Sequence, residues 1–393
     1  MYLAALPLLA ATLTRDPLAV SVVTVAGWLP WLLFALPAGA VVDRLDRRRV
    51  MWAVDTARAV VVAALAAAVL AGWASIPLLA VAGFLVGAGQ TLVENAAQAM
   101  VVAVVGRDPR RLERANGQLV ATLTVGQQLA GPPAGGAAFA LAAWLPFVAD
   151  AVSFGAGAGL VASIGGRFGP GRTDGGTAGR SLRTEIAEGV RFLLGQRLLR
   201  AAVLLVSASN LAFMAGEAVL VLFAADELGL GGRGYGLLLA AVAVGGVPGS
   251  LLAARVGERV PPGPLIVGGV LAGAAAMACF GLATDPWLAG AAYAATGAVW
   301  GVWNVTLLSL RQAIVPDRLM GRVVGAIRLI GFGSIPVGAL LGGLVARALG
   351  LRAPFLLGAA VLVVAALAAA PVITSGAVEA ARAEAGAGAA PAP

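Results

Sequence analysis

The chain reads as an all-α polytopic membrane protein. Composition points there first: of 393 residues, 60% are hydrophobic and only 12% are charged, whereas soluble domains carry about a quarter charged residues. The 54 glycines and 21 prolines fit the same class, since membrane helices tolerate both and pack closely through small residues. The apolar runs are the second observation. About 20 apolar residues cross a hydrocarbon core roughly 30 Å thick, and eleven runs come close to that length or exceed it: 18–42, 50–71, 76–95, 116–143, 146–164, 200–224, 234–255, 264–283, 287–308, 322–346 and 353–373. Charge placement is the third, because the cations cluster in the links between the runs.

All 27 basic residues are arginine. Most fall in the links 43–49, 96–115, 165–199, 255–263 and 309–322 and in the tail, while the alternate links contribute only Arg15, Arg233, Arg347 and Arg352. Arginine excess marks the cytoplasmic side, so the turn Gly39–Arg49 and the C-terminus are expected in the cytosol. The net charge of +8 is then a topology signal and needs no nucleic-acid partner. The single cysteine, Cys279, lies in an apolar run, and there is no histidine. An intrachain disulfide, a thiolate or imidazole metal site and a histidine relay are therefore excluded. No cofactor, metal site or nucleophile–base pair is expected, so the chain does not read as an enzyme, and any proton chemistry falls to carboxylates.

The segment Met1–Thr14 is apolar but too short to span, and it lacks the charged start and cleavage site of a signal peptide. An internal repeat organises the rest. Pro37 precedes Arg44 by seven residues, as Pro248 precedes Arg255; Arg111, Leu112, Arg114 and Gly117 are echoed by Arg318, Leu319, Arg322 and Gly325. The offsets, 211 from Arg44 to Arg255 and 208 from Arg114 to Arg322, indicate two homologous halves. The expected division is a bundle over 1–164, a linker over 165–199, a second bundle over 200–373 and a disordered tail over 374–393. Shifting 200–224 back by 211 gives about −11 to 13, so the first helix is expected to be truncated at its N-terminal side. The linker opens flexibly over Gly165–Gly179. It continues as an amphipathic tether, Ser181–Arg200, with Leu182, Ile186, Val190, Phe192 and Leu193 on its apolar face.

The residues Gly39, Asp43, Arg44, Asp46, Arg47 and Arg48 resemble the loop signature of the major facilitator superfamily, G-x-x-x-D-R/K-x-G-R-R/K. Asp46 stands where that family has glycine. The second-half copy, Ser250 to Arg259, has Gly257 there but carries Ala254 opposite Asp43. Gly131-Pro132-Pro133-Ala134-Gly135-Gly136 matches the superfamily's exporter motif G-P-x-x-G-G, and Gly117 and Gly126 keep its G-x8-G spacing. Within the superfamily the chain resembles the bacterial twelve-helix drug and siderophore exporters, the enterobactin exporter group. The resemblance implies two six-helix bundles related by a pseudo-twofold axis, with helices 1, 4, 7 and 10 lining a central cavity. It also implies a conformational latch of Gly39, Asp43, Arg44, Arg47, Arg48 and Glu94. In that latch Asp43 faces the start of helix 11, and Arg47 reaches Glu94 at the end of helix 4.

Further candidates come from polar residues inside spans, which mark function by default. Asp55 and Arg58 lie one turn apart and are expected to pair. Gln90 and Glu94 share a face of the 76–95 span, beside Gly83 and Gly87. Ser207, Asn210, Met214 and Glu217 fall at helical spacing on another span. Glu217 has no basic neighbour in its own run, which suits a carboxylate that exchanges protons. Trp300, Trp303 and Asn304, with Tyr293 and Thr296, suit an apolar or cationic ligand. Asp150 is read as an interfacial cap.

The expected function is secondary active transport: proton-coupled efflux of a neutral or cationic amphiphilic small molecule by alternating access, from a monomer in the bacterial inner membrane. An uptake permease and a non-transporting scaffold are the alternatives. Asp46→Gly is expected to be tolerated, and Asp43→Asn to abolish transport in vesicles; intact transport in the latter would leave the turn with a topological role alone.

Overall fold

The computed structural model describes residues 1–106, 108–166, 168, 182–315 and 317–388, without the side chains of 35–37, 39–41, 43, 44, 102, 109, 182–187, 189, 317–322, 328 and 382–388. Among the described residues the regular structure is helical throughout. The helices are α1 (Tyr2–Leu13), α2 (Pro17–Arg44), α3 (Arg47–Leu70), α4 (Ile76–Val105), α5 (Pro109–Leu123), α6 (Gly131–Leu141), α7 (Leu145–Ser163), α8 (Leu182–Gly195), α9 (Arg197–Glu217), α10 (Leu220–Asp226), α11 (Gly232–Arg259), α12 (Pro262–Leu282), α13 (Pro286–Ile314), α14 (Asp317–Leu349), α15 (Ala353–Ala369) and α16 (Ser375–Gly388). A π-helical turn, Thr124–Ala130, joins α5 to α6. Eight of the described helices are long and apolar enough to cross a membrane.

Local chemistry sets the ends. Three helices open on Asp-Pro: Asp16 accepts from the Leu18 amide at 3.1 Å, Asp108 from Arg111 at 3.0 Å, and Asp285 from Trp287 at 2.9 Å and Leu288 at 3.0 Å. The aspartate satisfies a free amide, and the proline occupies the first turn, where its missing N–H is harmless. Gly72 and Gly350, at φ 73° and 91°, follow α3 and α14 in the left-handed conformation that ends helices cheaply only at glycine.

The chain divides into two compact units: Met1–Gly176 with Ala218–Ala240, and Thr177–Glu217 with Ala241–Pro393. Their internal pairings repeat. In the first, α3 packs on α4 and α7; in the second, α12 packs on α13 and α15. The helix bounds carry the same register: α4 recurs in α13 at an offset of 210, α7 in α15 at 208, and Pro109–Leu141 in Asp317–Leu349 at 208, each of the last two being 33 residues long.

Several expectations are corrected. The 200–224 span is two helices, broken at Ala218 and Val219, where Val219 leaves the helical region at φ −115°, ψ 2°. The segment Ala218–Ala240, expected in the C-terminal bundle, clusters with the first unit, where α10 packs on α1. The 116–143 span is interrupted because Pro132 and Pro133 offer no N–H; the Gly131 amide instead donates to the Gly126 carbonyl, five residues back. The amphipathic Ser181–Arg200 segment breaks at Gln196, and α8 packs on α14, with Leu193 only 1% exposed. Of the flexible stretch Gly165–Gly179, residues 167 and 169–179 lie outside the described residues. Of the tail expected to be disordered, Ser375–Gly388 forms α16, with Val378 fully buried and contacts to α12 and α13, and 389–393 lie outside the described residues.

Glycine sets how near the helices come. A methyl at Gly87 on α4 would overlap the Gly27 carbonyl oxygen on α2 and stand 3.3 Å from Pro30. Gly87→Ala is therefore expected to cost about 1–3 kcal/mol through overpacking, read as a lower melting temperature of the detergent-purified protein; an unchanged melt would show that α2 and α4 do not pack this closely.

Candidate functional site

In the first unit the polar residues form one chain. The Arg58 guanidinium donates to Asp55 at 3.0 Å and to the Gln90 carbonyl oxygen at 2.7 Å, and the Gln90 amide donates to Glu94 at 2.6 Å. Arginine can only donate, so the Gln90 orientation follows from its partners. Arg58 is 8% exposed, and its guanidinium lies 4.0 Å from the Phe154 ring centre. Room for its stem comes from Gly89, where a methyl would stand 2.7 Å from the arginine Cδ. Asp150 accepts from the Tyr2 amide and sits 3.6 Å from the amino terminus, so it faces α1 rather than capping an interface. The Asp55–Arg58 pair is thus observed, with Gln90 joined to it. Gly89 and Phe154 were not visible in the sequence as its supports.

The expected Arg47–Glu94 contact is not among the described ion pairs. Glu94 is held one turn back by Gln90, and the Arg47 amide donates to the Phe168 carbonyl at 3.3 Å. Arg48 caps the C-terminal end of α7, donating to the carbonyls of Val161, Ala162 and Gly166, where free carbonyls and the helix dipole favour a cation. Asp46 has two tasks: one oxygen accepts from the Arg49 amide at 3.1 Å, capping α3, and the other from the Phe168 amide at 3.2 Å. An N-cap aspartate replaced by glycine costs only a few tenths of a kcal/mol, but Asp46→Gly also releases Phe168. The side chains of Asp43 and Arg44, and the surroundings of Gly39, lie outside the described residues.

The exporter motif is a contact surface made of backbone. A methyl at Gly135 would stand 2.6 Å from the Met1 carbonyl oxygen, and one at Gly136 would overlap the Gly232 carbonyl oxygen. A methyl at Gly236 would stand 2.5 Å from the Pro132 carbonyl oxygen, and one at Gly131 2.6 Å from that of Gly126. Helix α6 thereby meets both α1 and the start of α11.

In the second unit Glu217 ends α9 at the helix break. Its carboxylate accepts from the Tyr293 hydroxyl on α13, and Phe213, Met277, Phe280, Thr296 and Phe355 line the narrow space around it. Phe213 stacks with Tyr293 at 6.3 Å, and Phe280 lies 4.9 Å from Tyr293 and 5.0 Å from Phe355. No arginine forms an ion pair with Glu217 among the described residues. Asn210 is committed elsewhere, donating to the Gly331 carbonyl at 2.9 Å, and Met214 is buried. Trp300 meets Phe213 and Trp303 edge-on, while exposed Asn304 donates to the Trp300 carbonyl at 3.0 Å. Trp303 is interior rather than interfacial, 3% exposed, with its indole donating to the Ile266 carbonyl at 3.2 Å.

The repeat relates the two polar regions. Arg58, Gln90 and Phe154 correspond to Gly269, Trp300 and Leu362, at offsets of 211, 210 and 208. Those three, with Gly273, Val299 and Trp303, line a narrow apolar space in the second unit. One junction is charged and its counterpart apolar.

The transmembrane secretion effector family matches residues 3–387. The chain is 30% identical over 349 residues to the multidrug efflux pump Tap of Mycobacterium tuberculosis, covering 86% of this chain and 80% of that one. It is 28% identical over 345 residues to the Tap pump of Mycolicibacterium fortuitum, covering 86% and 82%. Among solved structures, a mutant form of the nucleoside transporter NupG superposes with a TM-score of 0.75 at 13% identity, covering 95% of each chain. A bacterial homologue of the lysosomal transporter Spinster, inward-facing and unoccupied, superposes at 0.63 with 17% identity, covering 97% and 96%.

Asp55→Ala is expected to cost about 3–5 kcal/mol, because it leaves a buried guanidinium uncompensated, and Asp55→Ala/Arg58→Ala to recover most of that loss. Thermal unfolding in detergent reads both; equal losses in the single and double variants would refute a coupled pair.

Proposed function

Because the chain belongs to the transmembrane secretion effector family of the major facilitator superfamily, we propose that it is a proton-driven efflux transporter of neutral or cationic amphiphilic small molecules. The superfamily is one of transporters and not of enzymes. The observation that carries the coupling is Glu217: a carboxylate at a break in a membrane helix, hydrogen-bonded to Tyr293 among aromatic rings, with no cationic partner among the described residues. A buried carboxylate without a counter-charge is costly to keep ionised, so a proton taken from one side and given up to the other has a natural seat there. The break supplies a place where α9 and α10 can move separately, as discontinuous helices do in other secondary transporters. Aromatic walls around a carboxylate also suit an organic cation. The Tap relatives, described as multidrug efflux pumps, support export as the direction. The arginine-rich links support a bacterial inner-membrane protein with a cytoplasmic C-terminus.

Glu217→Gln keeps the hydrogen bond to Tyr293 but cannot exchange a proton. In proteoliposomes it is expected to abolish efflux driven by a pH gradient, while exchange at equal pH on both sides continues. Undiminished gradient-driven transport would remove Glu217 from the coupling step. Everted vesicles fix direction: accumulation inside them on energisation is the expected result, and accumulation in right-side-out vesicles instead would make the chain an uptake permease.

A further inference from the structure

The π-helical turn of the fifth crossing carries two side chains with no place in the chemistry above. Gln127 and Gln128 are both exposed, and neither makes a hydrogen bond with a described residue. Their depth is fixed by the helix that bears them. The apolar run 116–143 is centred between Leu129 and Ala130, so the two amides sit within about 2–4 Å of its midpoint at 1.5 Å per residue. Hydrocarbon at that depth offers no partner, and an unsatisfied amide there costs several kcal/mol. Two adjacent ones are retained only where they face water or a ligand.

The repeat shows that the fold does not require them. At the offset of 208, Gln127 and Gln128 correspond to Ile335 and Pro336 of α14, an equally long helix that stays α-helical; Ile335 is 5% exposed. Pro132 and Pro133 correspond to Leu340 and Leu341, so the amide pair and the prolines behind the π turn occur together in one half only. Turns of this kind gather at functional sites because they re-aim side chains without ending the helix.

The geometry points to Gln127 and Gln128 as a hydrogen-bonding subsite of the transport pathway, open to water at the bilayer midplane, for carbonyl and hydroxyl groups of the transported molecule. A neutral amide pair presents donors and acceptors together, which selects polar uncharged groups. The assignment rests on the transport reading of the chain but not on Glu217 as the coupling group.

Cys279 is the only cysteine, so Cys279→Ala gives a thiol-free background. Single cysteines at 127 and 128 are tested in lipid nanodiscs with a charged, water-soluble methanethiosulfonate. Glu258→Cys serves as an aqueous reference and Val364→Cys, at an apolar position 67% exposed, as an apolar one. Because only the hydrated thiolate reacts, both positions are expected to label within about tenfold of the aqueous reference; labelling as slow as at 364 would overturn the assignment. The second arm compares doxorubicin, rich in hydroxyl and carbonyl groups, with tetraphenylphosphonium, which has neither. Gln127→Leu/Gln128→Leu is expected to slow doxorubicin efflux about tenfold, the equivalent of 1.4 kcal/mol, and to spare tetraphenylphosphonium. Equal effects on both probes, or on neither, would overturn the subsite even if the positions label. If the unaltered protein moves neither probe, the efflux reading fails, and labelling alone decides whether the amides meet water.

Discussion

In hydrocarbon no water completes an unmade main-chain hydrogen bond, so each backbone polar group must find its partner within the protein. The described helices follow from that constraint. Their ends are closed by Asp16, Asp46, Asp108 and Asp285 at the start of α2, α3, α5 and α13 and by Arg48 at the end of α7. The two departures from continuous helix are then informative. Pro132 and Pro133 force the register change at Thr124–Ala130, and α9 stops at Glu217 without a proline to stop it. Each departure leaves polar side chains within an apolar run, where they would otherwise be expensive.

The same solvent weakens the drive for helices to associate, since lipid tails are as apolar as leucine. Close approach of backbones takes its place. The exporter motif contributes through absent side chains, with Gly135 against Met1, Gly136 against Gly232 and Gly236 against Pro132. In the second unit Gly245, Gly249 and Gly297 do the same between α11 and α13. Gly89 uses the freedom differently, opening space for the Arg58 stem so that a buried cation reaches both Asp55 and Gln90. Packing and site chemistry draw on one resource.

The crossings were legible because apolar length and arginine bias are properties of local sequence, and the offsets of 208 and 211 carried the repeat. Asp55 with Arg58 was legible for the same reason, one helical turn separating them. Tyr293 as the partner of Glu217 was not, because the two stand 76 residues apart and meet only as side chains reaching between helices that the fold brings near. The Arg47–Glu94 contact was expected from the resemblance alone, and the bond from Gln90 to Glu94, one turn apart on the same helix, was not foreseen. The helix break at Val219 has no glycine or proline at its centre, and Gln127 and Gln128 look like ordinary helix formers until their depth and lack of partners are seen. Asp46 was read as a blemish in a signature; its value lies in two amides, one of them 122 residues away.

The paired junctions have an evolutionary consequence. Where α3, α4 and α7 meet, Arg58 supplies a charge; where α12, α13 and α15 meet, Gly269 leaves an opening into which Trp303 turns, its ring 3.1 Å from where a Cβ would stand. Arginine and glycine codons differ by one base. That one change would strand Asp55 and Gln90 without their donor, so the apolar junction needs its partners changed as well: Ile266, Trp300 and Leu362 stand opposite Asp55, Gln90 and Phe154. The two halves keep a common scaffold yet differ at all four of these positions, so each junction is specified as a set, and neither half can borrow a single residue from the other.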